Sequence, residues 1–267
     1  MSGTTHPGKT TAPAGPERTA PVPAAGPAVS AGWRWLTGAA GFAGAVALGA
    51  SFGVLPPPPA LTAPLTALTR YAAAYHHTLL AAAWLEGTGT LLYVIFVLAL
   101  VHLAGDRAGL AGRITALAAA VVLAVSMVYD ITLIAMAQSA ALGGHQTTTA
   151  LVAYGLFAAT EHVFVLAPPL LLPLGLILLR VPVLPRPFGL PALILGVIAP
   201  ILGLAGLFTV TANNNGPVGA AINALVAAQG LWMIAASLTL PLRSPMRRAA
   251  HPAHDDSRLI ADGTAQR

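Results

Sequence analysis

Long apolar runs, each about as long as a bilayer-spanning helix, constrain this chain more than any other feature. A transmembrane helix needs about 20 mostly apolar residues. The 267-residue chain has six such runs, at about 36–55, 78–103, 114–141, 150–180, 188–210 and 218–240. Only 8% of its residues are charged, against about 25% in soluble domains. The sequence therefore predicts an all-α membrane protein, a bundle of six transmembrane helices.

The polar segments predict the domain organisation and the orientation. Residues 1–31 are rich in Pro, Ala, Gly and Thr, and residues 243–267 are polar, so we expect disordered tails around a transmembrane domain at 32–242. Twelve of the 13 Lys and Arg residues lie before the first run, in the turns after the second and fourth runs or in the C-terminal tail, and only Arg70 lies on the other side. Because basic loops stay in the cytoplasm, both termini are predicted to be cytoplasmic.

The composition also bears on location and partners. Lysine occurs once and Ala, Gly and Pro are abundant, which is typical of a GC-rich bacterial genome and predicts the bacterial inner membrane. The pI of about 10.2 would suit nucleic acid, but the basic residues form no patch interleaved with aromatic residues. We expect the lipid bilayer, not nucleic acid, as the partner. Without cysteine, disulfides and thiolate metal sites are excluded.

Three of the eight acidic residues fall inside predicted spans: Glu86, Asp130 and Glu161. Ionisable side chains at membrane depth are costly and by default indicate function. At about 1.5 Å per residue, Glu86 lies about 12 Å and the other two about 18 Å from the outer ends of their spans. The three carboxylates are therefore predicted to share one buried site in the outer half of the membrane, binding a proton or a cation.

Other polar residues accompany these acids. His162 is a further candidate ligand, although it is adjacent to Glu161 and so points about 100° away from it. Several polar residues lie on the same helical faces as the acids or at a similar depth, and we expect them to support the site. They are Thr90 and Tyr93 beside Glu86, Ser126 beside Asp130, Tyr154 beside Glu161, and Asn223 in the sixth span.

Small residues recur every four positions in the first span, at Gly41, Ala45, Gly49 and Gly53. Such a ladder lets a neighbouring helix approach closely. It predicts tight packing, and it offers a face through which copies of the chain could associate.

Three functions remain open. The acids could bind a proton or cation in a small-solute transporter, for which six spans allow an inverted repeat. They could, together with His162, hold a metal in a membrane-embedded hydrolase, since oxygen and imidazole ligands suit Zn or Mn. They could also do no more than hold helices together.

The sequence shows no HExxH zinc motif, no pair of histidines placed to bind a haem between two helices, and no span with the repeated arginines of a voltage sensor. We therefore expect no cofactor, and a transporter-like or binding protein in preference to an enzyme.

Residues 154–207 contain three consecutive motifs, LLLPLGLILLR, VLPRPFGLP and LILGVIAPILGLAGL. In these motifs the chain resembles an uncharacterised bacterial family of small six-helix integral membrane proteins. The resemblance implies a six-helix fold and a membrane location, and it implies no activity.

Overall fold

Helices make up almost all of the chain that the structure describes. The structure is a computed structural model, and it describes residues 31–59, 63–143, 147–149, 151–152, 155, 168–208 and 217–242. The longer helices are α1 (Ala31–Val54), α2 (Leu65–Ala74), α3 (His76–Ala104), α4 (Gly109–Ala141), α5 (Pro168–Arg180), α6 (Gly189–Phe208) and α7 (Pro217–Leu242). Short 3-10 turns at Gly105–Ala108 and Arg186–Phe188 precede α4 and α6.

Five stretches of the described chain are long and apolar enough to cross a membrane. They are α1, α3, α4, α7 and the 186–206 stretch that contains most of α6. Large apolar side chains cover their outward faces, among them Trp84, Leu117 and Leu231, which are 69%, 70% and 68% exposed. A water-soluble protein rarely exposes contiguous apolar surface on this scale, whereas lipid requires it. The chain is therefore an all-α, multi-pass membrane protein.

Proline and glycine set the helix ends. The run Pro56–Pro59 follows α1, and consecutive prolines cannot continue a helix. Gly105 ends α3 with a φ of 58°, which glycine adopts without the steric cost of a side chain. Pro217 begins α7, at the position where a missing N–H costs nothing.

The observed helices differ from the predicted spans mainly at the first and the fourth. The description of helix α1 begins at Ala31, the last residue of the predicted tail. The remainder of the tails, 1–30 and 243–267, lies outside the described residues. Of the predicted 150–180 span, the structure describes Leu151, Val152, Gly155 and the 13-residue α5.

Six of the described helices form a closed ring. Each packs against the next in the order α1, α3, α4, α5, α6, α7, and α7 packs against α1. Helix α2 lies outside this ring, against α4 and the start of α3. We call this end of the bundle, where α3 begins and α4 ends, the α2 end.

Two apolar cores fill the bundle. The larger one joins all six helices of the ring and includes Phe96, Leu100, Leu174 and Leu240. The smaller one lies at the α2 end and includes Leu79, Leu133 and Met136. Along α3, residues 84–92 lie between the two sets of core positions, and along α4 so do residues 124–132.

The small residues of α1 do not share one environment. A Cβ on Gly41 would meet Ser237 Oγ and the Phe96 ring, whereas a Cβ on Gly49 or Gly53 would meet nothing within 4 Å. Ala45 is also buried within the bundle. The first half of the predicted ladder therefore packs inside one chain, and only the second half remains open to another copy.

This difference predicts opposite effects of one substitution at two positions of α1. Gly41→Ala should lower thermal stability in detergent by about 1–3 kcal/mol because of overpacking. Gly49→Ala, in open space on the same helix, should raise stability by up to about 1 kcal/mol through helix propensity. Equal effects at both positions would contradict the close packing of α1 on α3 and α7.

Candidate functional site

The carboxylate of Glu86 lies at the contact between α3 and α4. Thr90, one turn further along α3, donates its hydroxyl to Glu86 Oε1 at 3.0 Å. Ser126 on α4 donates its hydroxyl to the same carboxylate, 2.9 Å from Oε1 and 3.0 Å from Oε2. Hydroxyl donors thus surround this half-buried acid from both helices, as an ionised carboxylate requires.

Asp130 lies one helical turn beyond Ser126, and its side chain is only 7% exposed. Its carboxyl group lies within hydrogen-bonding reach of Glu86. Its Oδ2 is 2.5 Å from the point that a Cβ on Gly87 would occupy, so only glycine lets the carboxyl group approach the α3 backbone this closely. Its Oδ1 is buried and receives no hydrogen bond from the part of the chain that the structure describes.

Both acids lie at the same depth in the bundle. Glu86 is ten residues from the start of α3 and Asp130 is eleven from the end of α4, so each is about 15 Å from the α2 end at about 1.5 Å per residue. They occupy the gap between the two apolar cores. We call Glu86, Thr90, Ser126 and Asp130 the polar layer.

Two tyrosines connect the polar layer with the α2 end. Tyr129, next to Asp130 on α4, lies close enough to Glu86, Asp130 and Tyr71 to interact with them electrostatically. Tyr71 on α2 donates its hydroxyl to the Pro56 carbonyl oxygen at 2.9 Å, and its ring lies 5.2 Å from the ring of Tyr75. Burial, assisted by Tyr75, raises the pKa of Tyr71 to about 12, so this phenol keeps its proton at neutral pH.

Tyr93 faces a different helix from the one its spacing suggests. Its hydroxyl is buried, has no hydrogen bond among the described residues, and lies near the Gln229 side chain of α7. The Tyr93 hydroxyl therefore places a polar group next to α7. Asn223, also on α7, has an exposed side chain, and its part in the site stays a prediction.

The remaining predicted site residues, Tyr154, Glu161 and His162, lie outside the described residues. Glu86 and Asp130 are thus the two predicted acids that the structure places together. Within the described residues no three His, Cys, Asp or Glu side chains are close enough to hold a metal ion.

Sequence reasoning missed several residues that shape this site. Gly87, Tyr129, Tyr71 and Gln229 all contribute to it. The one available signal was the glycine that directly follows Glu86, since glycine inside a helix often permits close approach of another group. Which side chain approaches this glycine depends on how the helices pair, and the local sequence pattern does not show the pairing.

A hollow of about 360 Å³ opens at the opposite end of the bundle, between α3 and α4. Small residues line it, with Arg113 as its charged side chain. It is separated from the polar layer by the larger apolar core, and it forms no part of the site.

Comparisons with protein-family models, with curated proteins and with solved structures found no match to this chain.

The contact between Ser126 and Glu86 makes a prediction that a double-mutant cycle can test. Ser126→Ala should destabilise the protein by about 1–2 kcal/mol, because it removes the hydrogen bond from α4 and leaves Thr90 as the one hydroxyl donor to this partly buried carboxylate among the described residues. In the Glu86→Leu background the same substitution should cost much less, because no carboxylate remains to be satisfied. The measurement is thermal or denaturant unfolding in detergent. Equal costs in both backgrounds would show that the two side chains do not interact.

The environment of Tyr71 predicts a loss of stability at alkaline pH. Since the folded protein keeps this phenol protonated up to about pH 12 and an unfolded chain only to about 10, its contribution is complete below pH 10 and is lost as the pH rises through 12. Tyr71→Phe should remove most of the loss of stability between pH 10 and 12, whereas Tyr75→Phe should keep most of that loss. Unfolding followed between pH 9 and 12 provides the measurement, and identical profiles for Tyr71→Phe and the unmodified protein would contradict the assignment.

Proposed function

We propose that this protein is a small-solute transporter of the bacterial inner membrane, coupled to a proton or a cation that binds at Glu86 and Asp130. The observation that supports this most strongly is the meeting of the two carboxyl groups from α3 and α4 inside the bundle. The sequence has no Lys or Arg between residues 71 and 106 or between 114 and 179. Two acids without a Lys or Arg partner at this depth need a bound proton or cation, which is the requirement of a coupling site.

We further propose six spans with both termini in the cytoplasm. The basic residues support this orientation, which would make the α2 end the outer end. The position of α5 supports the sixth span. Helix α4 ends at the α2 end, yet the buried residues of α5, such as Leu171 and Leu174, belong to the larger core. We propose that the predicted 150–180 span, which ends in α5, is the sixth crossing.

Glu161 belongs in this proposal as a third acid of the same site. Glu161 precedes α5 in the same predicted span, and α5 packs directly on α4. His162 is its candidate companion. Membership of the uncharacterised six-helix family stays a prediction that rests on the motifs of residues 154–207.

A structural role is the second candidate, and the Ser126–Glu86 hydrogen bond favours it. A hydrogen bond between two helices contributes on average about 0.6 kcal/mol in a membrane protein. If this were the whole role of Glu86, neutral substitutions would alter stability and nothing else.

Transport can be tested without knowing the solute. Proteoliposomes are incubated with a mixture of cell metabolites, with and without an inward proton gradient, and the contents are identified by mass spectrometry. We expect the unmodified protein to accumulate at least one solute in a gradient-dependent manner. Glu86→Gln, Asp130→Asn and Glu161→Gln should each reduce that accumulation to the level of protein-free liposomes. Gly49→Ala, on the open side of α1, is the matched control and should retain it.

Two results would count against transport. One is that the unmodified protein accumulates nothing beyond protein-free liposomes. The other is that all three neutral variants accumulate as much as the unmodified protein while only their thermal stability changes, which would favour the structural role.

A further inference from the structure

We propose that the ligand of the polar layer is a single proton, held by Asp130 and donated to Glu86. The inference rests on the proposed function, because it names the ion that the transporter would use. It begins from the contact between the two carboxyl groups, which lie within hydrogen-bonding reach of each other. Ionised carboxylates only accept hydrogen bonds. The contact is therefore a hydrogen bond only when one of the two groups holds a proton.

The neighbours of each carboxyl group indicate which one holds it. Glu86 receives hydroxyl hydrogens from Thr90 and Ser126, and hydrogen bonds of this kind stabilise the ionised form. Asp130 lies against the α3 backbone at Gly87 and is almost fully buried, and its Oδ1 receives no hydrogen bond from the described residues; an ionised group is costly in such a place. The neutral acid is therefore at Asp130 and the anion at Glu86.

A proton suits this arrangement better than sodium or potassium. A metal cation needs several oxygen ligands aimed at one centre. Here the Thr90 and Ser126 hydroxyls are directed at Glu86 and already act as donors. A proton needs one oxygen to hold it and one to accept it, and both are present without rearrangement. It enters from water and leaves to water as hydronium, so no other reactant is required.

The other groups that face the pair do not compete for this proton near neutral pH. Tyr129 on α4 and Tyr71 on α2 are phenols. Helix α1 has Arg34, α5 has Arg180 at its far end, and α7 has no charged residue. Glu161 and His162 lie outside the described residues, so the test includes a substitution of each.

The proton can be observed through the C=O stretching band of a protonated carboxylic acid, by infrared difference spectroscopy of the purified full-length protein in lipid nanodiscs. We expect the band to appear as the pH is lowered. Carboxyl-13C aspartate should shift it, and labelled glutamate should not. Asp130→Asn should abolish it, and Glu161→Gln and His162→Gln should keep it. Gly87→Ala should shift its frequency, because the added methyl group displaces the Asp130 carboxyl group.

Sodium provides the decisive comparison. Replacing choline chloride with sodium or potassium chloride at constant ionic strength should leave the pH midpoint of the band unchanged. A midpoint that falls by about one pH unit per tenfold increase in either metal would mean that the metal competes for the site, and the inference would be overturned. It would equally be overturned if no aspartate-labelled band exists in the unmodified protein, a measurement that does not depend on any variant folding.

These outcomes separate this inference from the proposed function. A sodium-dependent midpoint together with carboxylate-dependent transport would reject the proton and keep the transporter. A sodium-independent aspartate band without any gradient-driven accumulation would reject the transporter and keep the proton site.

Discussion

The contact between α3 and α4 at the polar layer is the interaction on which the rest of the bundle depends. An acidic side chain in the bilayer is tolerated only where protein groups replace water around it. Ser126 and Thr90 provide these groups for Glu86. They do so at a position where apolar cores lie on both sides along the helices. The two cores therefore align α3 with α4, and their alignment brings donors and acids to one depth.

Glycine makes the short distances of this layer possible. Gly87 admits the Asp130 carboxyl group to the α3 backbone. Two residues further along α3, Gly89 approaches Gly44 of α1. A Cβ added to Gly44 or Gly89 would lie 3.1 Å from the carbonyl oxygen of the other residue. Helix α3 is thus held from opposite sides by two close contacts. With larger residues at these positions, α1 and α4 would both lie further from α3, and the hydroxyl of Ser126 would no longer reach Glu86.

The sequence predicted what depends on local pattern and not what depends on helix pairing. Apolar length located the five long helices, and a four-residue spacing placed Thr90 on the same face as Glu86, where the two form a hydrogen bond. The same spacing placed Ser126 and Asp130 on one face of α4. Spacing cannot tell which helix a face meets, so it did not predict that the Tyr93 hydroxyl lies near Gln229 of α7. The role of Gly87 was hidden for the same reason, because the group that fills its space comes from 43 residues further along the chain.

The proposed proton has a mechanical consequence for the ring. When both carboxyl groups are ionised about 4 Å apart, their repulsion is about 4 kcal/mol at an effective dielectric constant of about 20. The hydroxyl hydrogen bonds that close the layer contribute about 0.5–1.5 kcal/mol each. The repulsion would therefore exceed these hydrogen bonds, whereas the apolar cores on either side of the polar layer oppose separation of α3 from α4. Under the proposed protonation, loss of the proton would weaken the α3–α4 contact at the polar layer, and its return would restore that contact.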